Sequence, residues 1–267
     1  MSKTLAKALY ILTLFEEDSE DLTLDEMSKK AEIPRTTTFR LLKTLEEFGF
    51  VKRVKSDSAE RQSEYYQLGL QCLRLGAIAT NQLDLRGIAL PYMKKLSNQV
   101  GEAVQLVIPD GEEAVYIEKV ESRRPVRLYT SIGRRAPLYA GACPRVLLSF
   151  MKDEVIDSIL SRELHKVASK TSIDKNEIWD LIEQARNEGF TFSLSELAEN
   201  TEAIGTPIFD SKGEIIAALS VGSFEGRLAR DGIVNKEFVE LLWGSCSEIS
   251  KELGYMDSYP FTNKLRR

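Results

Sequence analysis

The sequence predicts an α+β protein of two domains: a small N-terminal unit of helices closed by a hairpin, and a larger C-terminal unit of antiparallel strands with interspersed helices. Three observations carry that reading. Residues 34–48, PRTTTFRLLKTLEEF, separate into a polar and an apolar arc when wound at about 100° per residue. Residues 67–99 are helical in pattern throughout, and beyond residue 100 apolar runs of strand length alternate with turn sequences. The 267 residues, 43% of them hydrophobic, supply cores for one small and one medium domain.

Residues 5–15 (LAKALYILTLF) are rich in helix formers and almost wholly apolar, so they are expected to form a buried first helix. Thr23, with Glu26 three residues on, has the capping-box spacing and opens a short second helix through Lys30. Residues 31–33 make a tight connection into Pro34, which suits a helix's first turn because the amides there have no internal partner. On the helix that follows, Thr36, Thr37, Arg40, Lys43, Thr44 and Glu47 share one arc, and Phe39, Leu41, Leu42, Leu45 and Phe48 share the other. Residues 50–55 and 64–68 each alternate in polarity, and the polar SDSAERQS between them makes the pair a hairpin.

Helix, short helix, brief turn and two-faced helix is the order of a helix-turn-helix, whose last helix enters the DNA major groove, and the hairpin adds a wing. Three successive threonines are poor helix formers, so propensity does not explain them. At a helix N-terminus their hydroxyls would donate to phosphate oxygens or base edges. The candidate DNA contacts are Arg35, Thr36, Thr37, Thr38, Arg40 and Lys43 on the helix, with Lys52, Arg53, Lys55 and Arg61 on the wing. An ordinary amphipathic surface helix shares the polar face, and charge favours DNA. Residues 29–55 hold eight Lys or Arg against three Glu, although the whole chain carries −5.

No apolar run reaches the length of a membrane span, and the first residues lack the apolar core of a signal peptide, so a cytoplasmic protein with no membrane partner is expected. Cys72, Cys143 and Cys246 are odd in number and far apart, which fits reduced thiols. With a single histidine, His165, and no paired-cysteine motif, neither a zinc site nor any other cofactor is expected.

Leu68, Leu70, Leu73, Leu75, Ile78 and Leu83 form an apolar stripe on the first part of the 67–99 helical stretch. It would pack against a second copy of the chain and dimerise the DNA-binding domains, or else against its own domain. Residues 86–100 continue as a second helix with Pro91 near its start. The expected divisions are a DNA-binding domain over 1–68, a linker helix over 69–84, a second domain over 85–255 and a tail over 256–267. In the second domain, strands are expected at 103–108, 114–120, 126–130, 204–209 and 215–221. Helices are expected at 143–151, Lys175–Glu188 and 236–253, with the sheet covered on one face.

Four segments in the same order, RTTTFRLLKTLEEFGFV, SIGRRAPLYAGACPRVLLSF, the pair GF and IGTPIFDSKGEIIAALSV, resemble the IclR family of bacterial transcriptional regulators over nearly the whole chain. The resemblance implies a winged helix-turn-helix, a linker helix and a GAF-like effector-binding domain. It further implies a repressor or activator that assembles as a homodimer or homotetramer, binds double-stranded operator DNA of roughly palindromic sequence, and responds to an organic acid, sugar acid or aromatic compound. Carried over position by position, the effector site would hold Ala140, Gly141, Ala142 and Cys143, together with Ser193, Glu196, Ala203, Ser220 and Gly222. The amides opening the helix near Pro144 would receive a carboxylate, with Arg145 assisting or facing solvent. Where relatives have an acidic cluster, this chain has Ser193, Leu194 and Ser195 before Glu196, so a ligand with fewer hydroxyls or more negative charge is expected.

Two other classes are weighed against the regulator. Cys143 on its Gly-Ala-Cys-Pro turn is a conceivable nucleophile, but the only base, His165, stands in the Lys- and Glu-rich ELHKVASK, so no enzyme is expected. A ligand-independent DNA-binding or architectural protein would fill the second domain's sheet face with large side chains and leave no cavity at Ala142, Cys143, Ser220 and Gly222.

Overall fold

The computed structural model describes residues 2–15, 21–55, 64–81, 84–124, 128, 130–230 and 232–255. The chain divides into two compact units, Met1–Gln82 and Leu83–Arg267. Arg61, Leu83 and the 256–267 tail fall outside the described residues.

In the first unit, α1 (Lys3–Leu12) leads to β1 (Leu22–Thr23), α2 (Leu24–Ala31), α3 (Arg35–Glu47), β2 (Val51–Lys55), β3 (Glu64–Leu68) and α4 (Leu70–Asn81). The capping box is present: the Glu26 carboxylate accepts from the Thr23 amide at 2.8 Å, and Thr23 Oγ1 accepts from the Glu26 amide at 3.3 Å. Pro34 stands at the N-cap of α3 rather than in its first turn. The wing is a three-stranded antiparallel sheet in the order β1-β3-β2. At two residues, β1 is too short to show alternation, so pattern reading missed it. Gly69 joins wing to α4 where nothing larger fits, since a Cβ there would lie 2.1 Å from the Gly49 carbonyl oxygen.

Two helix faces depart from expectation. The buried stripe of α3 is Thr38, Leu41, Leu42 and Leu45, the i, i+3, i+4, i+7 set, so Thr38 occupies the core position while Phe39 and Phe48 face outward. α1 is largely exposed instead of buried: within it only Ile11 is enclosed, while Leu5 and Leu9 are 59% and 54% exposed. On α4, Leu70, Leu73, Leu75 and Ile78 are exposed as well. The small core formed by Ile11, Met27, Leu42 and Val51 with their neighbours is already filled by one arc of each helix.

The second unit contains α5 (Asp84–Val100), β4 (Ala103–Asp110), β5 (Glu113–Val120), β6 (Arg135–Pro137), α6 (Ala142–Ser149), α7 (Asp153–Leu160), α8 (Lys175–Glu188), β7 (Thr191–Leu194), β8 (Thr201–Phe209), β9 (Ile215–Phe224), β10 (Ala229–Arg230), β11 (Ile233–Val234) and α9 (Lys236–Glu252). Six strands form one antiparallel sheet in the order β6-β5-β4-β9-β8-β7, and β10 and β11 pair separately. Helices cover both faces, not one. Met93, Leu96, Leu106, Leu219, Leu242 and Trp243 pack α5 and α9 on one side. Val107, Tyr116, Leu147, Ile156 and Ile182 pack α6, α7 and α8 on the other. The unbroken burial of residues 103–107 on β4 requires two covered faces.

Other boundaries move. Pro91 lies inside α5, and β4 runs on to Asp110, so the reversal falls on Gly111 and Glu112. The strand expected at 126–130 is absent at Leu128 and Thr130, and its other members lie outside the described residues. The strand beside β5 is β6, with Glu113 opposite Pro137 and Val115 opposite Arg135. Among the described residues no helix is long and apolar enough to cross a membrane.

Candidate nucleic-acid interface and effector cavity

On α3 the sequence-predicted contacts separate by burial. Arg35, Thr36, Arg40 and Lys43 are exposed and Thr37 is half-buried. Thr38 is fully enclosed, and its hydroxyl lies 3.2 Å from the Ile33 carbonyl and 3.3 Å from that of Pro34. It ties the helix start to the preceding turn and is withdrawn from the exposed face of α3.

The cations differ in what already holds them. Arg35 pairs with Asp25 of α2 at 2.6 Å, while Arg53 lies 3.3 Å from Glu64 and 3.9 Å from Glu46, with Lys55 at 4.0 Å from Glu64. Arg40, Lys43 and Lys52 have no ion-pair partner among the described residues. Exposed pairs contribute about 1 kcal/mol or less, so a phosphate can displace their acids. Arg40 and Lys43 stand exposed on α3, with no acid to displace among the described residues.

In the second unit, a cavity of about 70 Å³ lies between the sheet and the start of α6. The first turn of α6 reaches it because Gly205 of β8 has no side chain: a Cβ there would lie 2.9–3.0 Å from the Ala142 carbonyl group and the Cys143 amide. Thr191 Oγ1 donates to the Ala142 carbonyl at 2.6 Å and fixes this approach. Across the sheet, Ser220 Oγ donates to Gln105 Oε1 at 2.9 Å, and Gln105 Nε2 faces Thr130 Oγ1 at 3.5 Å. Arg134 lies over the Tyr116 ring at 5.9 Å and donates to the Leu197 carbonyl at 3.2 Å.

The cavity gathers Ala142, Cys143, Ser193, Ala203, Ser220 and Gly222. Ala140, Gly141 and Glu196 are not on its wall. Ala140 packs in the core, and the Gly141 amide donates to Glu196 Oε2 at 2.9 Å. Glu196 also pairs with Arg145. The anion position at the front of α6 is therefore occupied by the chain's own carboxylate. Arg145 neither assists there nor faces solvent: it is 1% exposed and donates to the Phe192 carbonyl at 2.6 Å. Gln105, Tyr116, Thr130, Arg134, Leu197, Thr201 and Glu202 line the cavity and were missed. One signal was available: Gln105 interrupts the apolar AVQLVI run, and a polar side chain enclosed on a doubly covered strand needs a partner.

Burial pushes the Cys143 thiol up to about 12, although Ser220 hydrogen bonding opposes the shift. A protonated, enclosed thiol is a poor nucleophile. Burial also pushes the Tyr116 phenol up. Exposed His165 holds Tyr139 through its backbone, its amide donating to the Tyr139 hydroxyl at 2.9 Å. Among the described residues no His, Cys, Asp and Glu cluster could hold a metal ion.

Residues 4–55 match the IclR helix-turn-helix domain, and residues 77–251 match the bacterial transcriptional regulator IclR C-terminal family. The chain belongs to the IclR family. It is 39% identical over 255 residues to the HTH-type transcriptional regulator KipR of Bacillus subtilis, spanning 95% of this chain and 98% of that protein. It is 31% identical over 245 residues to the HTH-type transcriptional regulator KdgR of Escherichia coli, spanning 91% and 90%. The Thermotoga maritima IclR structure superposes with a TM-score of 0.72 at 26% identity, covering 94% of this chain and 99% of that one. An IclR homologue from Microbacterium hydrocarbonoxydans complexed with 4-hydroxybenzoate has a TM-score of 0.78 at 24% identity, with the same coverage. IclR-family regulators bind DNA and small-molecule effectors, and these relatives are regulators, not enzymes.

Proposed function

We propose that this IclR-family chain is a cytoplasmic, sequence-specific DNA-binding regulator whose operator affinity is set by a small organic acid bound in the 70 Å³ cavity. The observation that carries the effector reading is the polar set on that cavity: half-buried Arg134, the enclosed Ser220–Gln105–Thr130 chain and the opening turn of α6. The one acid on this wall, Glu202, accepts from the Arg227 and Leu228 amides. The Arg134 guanidinium among hydroxyl and amide groups suits a compact anion with few hydroxyls better than a sugar acid, which needs more room. The 4-hydroxybenzoate complex of the Microbacterium homologue supports a carboxylate as the ligand class.

The exposed apolar residues Leu5 and Leu9 on α1, with Leu70, Leu73 and Ile78 on α4, support a homodimer, because monomers rarely leave such stripes in water. Two α3 helices would then enter successive major grooves of a palindromic site, about 34 Å apart. Arg40 reads guanine, and Lys43 and Lys52 hold phosphates. An effector shifts operator affinity only through its differential affinity for two states of the dimer.

The test is anisotropy binding to the DNA flanking the protein's own gene, with random duplex as competitor and a panel of small organic acids. Specific binding that one acid changes is the expected result. Specific binding that no acid alters would sink the effector assignment and leave a ligand-independent DNA-binding protein. Arg40→Ala should cost about 1–3 kcal/mol at one base position. Equal losses on specific and random DNA would remove its reading role.

A further inference from the structure

A second cavity in the C-terminal unit is larger than the one just assigned. It measures about 660 Å³ and opens at the free edge of the sheet, beside β7, between α8 and the start of α9. Its volume lies in the range of small-molecule sites, about 300–1,000 Å³. Its walls are apolar, formed by Leu181, Phe190, Phe192, Val239 and Trp243.

Two cations stand on this lining, Arg145 and Lys236. The Arg145 side chain is 98% enclosed, with one guanidinium nitrogen on Glu196 and another on the Phe192 carbonyl, yet its Nε has no hydrogen-bond partner. A buried charged donor left unpaired is costly, and Arg145 belongs to the lining of this cavity, so a ligand's acceptor is a candidate partner for it. Lys236 opens α9 and is exposed. The one acid on the wall, Glu188, already accepts from Gln184 at 3.2 Å.

We infer that this cavity is a second ligand site, for an amphiphilic monocarboxylate whose aryl or alkyl body lies on Trp243 and Phe192 and whose carboxylate meets Arg145 and Lys236. It goes beyond the effector reading and does not depend on it. The two sites share one link: a carboxylate that draws Arg145 also competes with Glu196, which holds the Gly141 amide ahead of α6.

The chain has two tryptophans, so Trp179→Phe leaves Trp243, on the cavity wall, as the sole indole reporter. The full-length variant is titrated with 4-phenylbutyrate and, separately, with its neutral amide. A saturable change in Trp243 emission is expected with the acid, with binding at least tenfold weaker for the amide. Lys236→Glu, at an exposed position that tolerates the change, should weaken the acid at least tenfold and leave the amide unmoved. Arg145→Lys should weaken the acid as well, and Lys236→Glu keeps the test decisive if that variant fails to fold. No saturable change with the acid, or equal binding of acid and amide, overturns the proposal. So does a change in emission that follows protein concentration without probe, since a second copy would then fill the cavity. Loss of operator binding with the Trp243 titration intact would instead strike at the regulator reading alone.

Discussion

Replacing Glu196 by alanine tests whether the front of α6 is held by an internal ion pair. The Glu196 side chain is 11% exposed and that of Arg145 2%, so water screens neither well. The carboxylate accepts from the Gly141 amide and from Arg145, and its removal leaves the guanidinium with the Phe192 carbonyl as its remaining acceptor. Breaking a buried pair by deleting one partner costs about 3–5 kcal/mol. At about 2–4 °C per kcal/mol for a unit of this size, the C-terminal unfolding transition should fall by roughly 6–20 °C. The assay is thermal unfolding followed by far-ultraviolet circular dichroism on Glu196→Ala, Arg145→Met and the double variant. The double should lose less than the two singles together, by about 1–3 kcal/mol, because it leaves no stranded charge. Single losses below about 1 kcal/mol that simply add would refute the reasoning, and would return Glu196 to the role of a free carboxylate available to a ligand.

Thr38→Val keeps the shape and removes the hydroxyl. It should cost about 0.5–1.5 kcal/mol in urea unfolding while leaving the salt dependence of DNA binding unchanged. Lys43→Ala should do the reverse, lowering the salt slope by about one with little loss of stability. Gly69→Ala should destabilise the N-terminal unit by about 1–3 kcal/mol, read as an earlier urea midpoint, because its Cβ would press on the Gly49 carbonyl. Cys143 gives a pH prediction. The folded state holds the thiol protonated up to about 12 against an ordinary value of 9.0, so its stabilisation is present below pH 9 and disappears as pH rises toward 12. At most about 4 kcal/mol is lost over that window, seen as the difference between wild type and Cys143→Ala; a parallel pH dependence of the two would show that the thiol is not enclosed.

What was legible in the sequence is local. The Thr23–Glu26 capping box, the α3 periodicity and the β8–β9 hairpin each depend on contacts within a few residues or on one repeat, and the pattern of residue types carries such information directly. The faces of α1 and α4 depend on something else. An apolar stripe states that burial is favourable and does not state against which surface, so Leu5 and Leu9 read as core residues and, like Leu70, stand in water within one chain. The same limit governs the cavity. Gln105 meets Ser220 across 115 positions, and Arg145 meets Glu196 across 51, separations that no spacing rule joins. Ser220, Cys143 and Gly222, named together by the family resemblance although far apart in the chain, line one cavity. Arg145 and Glu196 lie off that wall and pair with each other, and a residue's position along the chain does not reveal whether its partner is a ligand or the protein itself. The polar groups that merit attention in this chain are therefore those whose hydrogen bonds remain unfilled once the internal pairs are assigned. By that criterion the buried Nε of Arg145, a residue that lines the larger cavity, ranks ahead of the amide of Gly141.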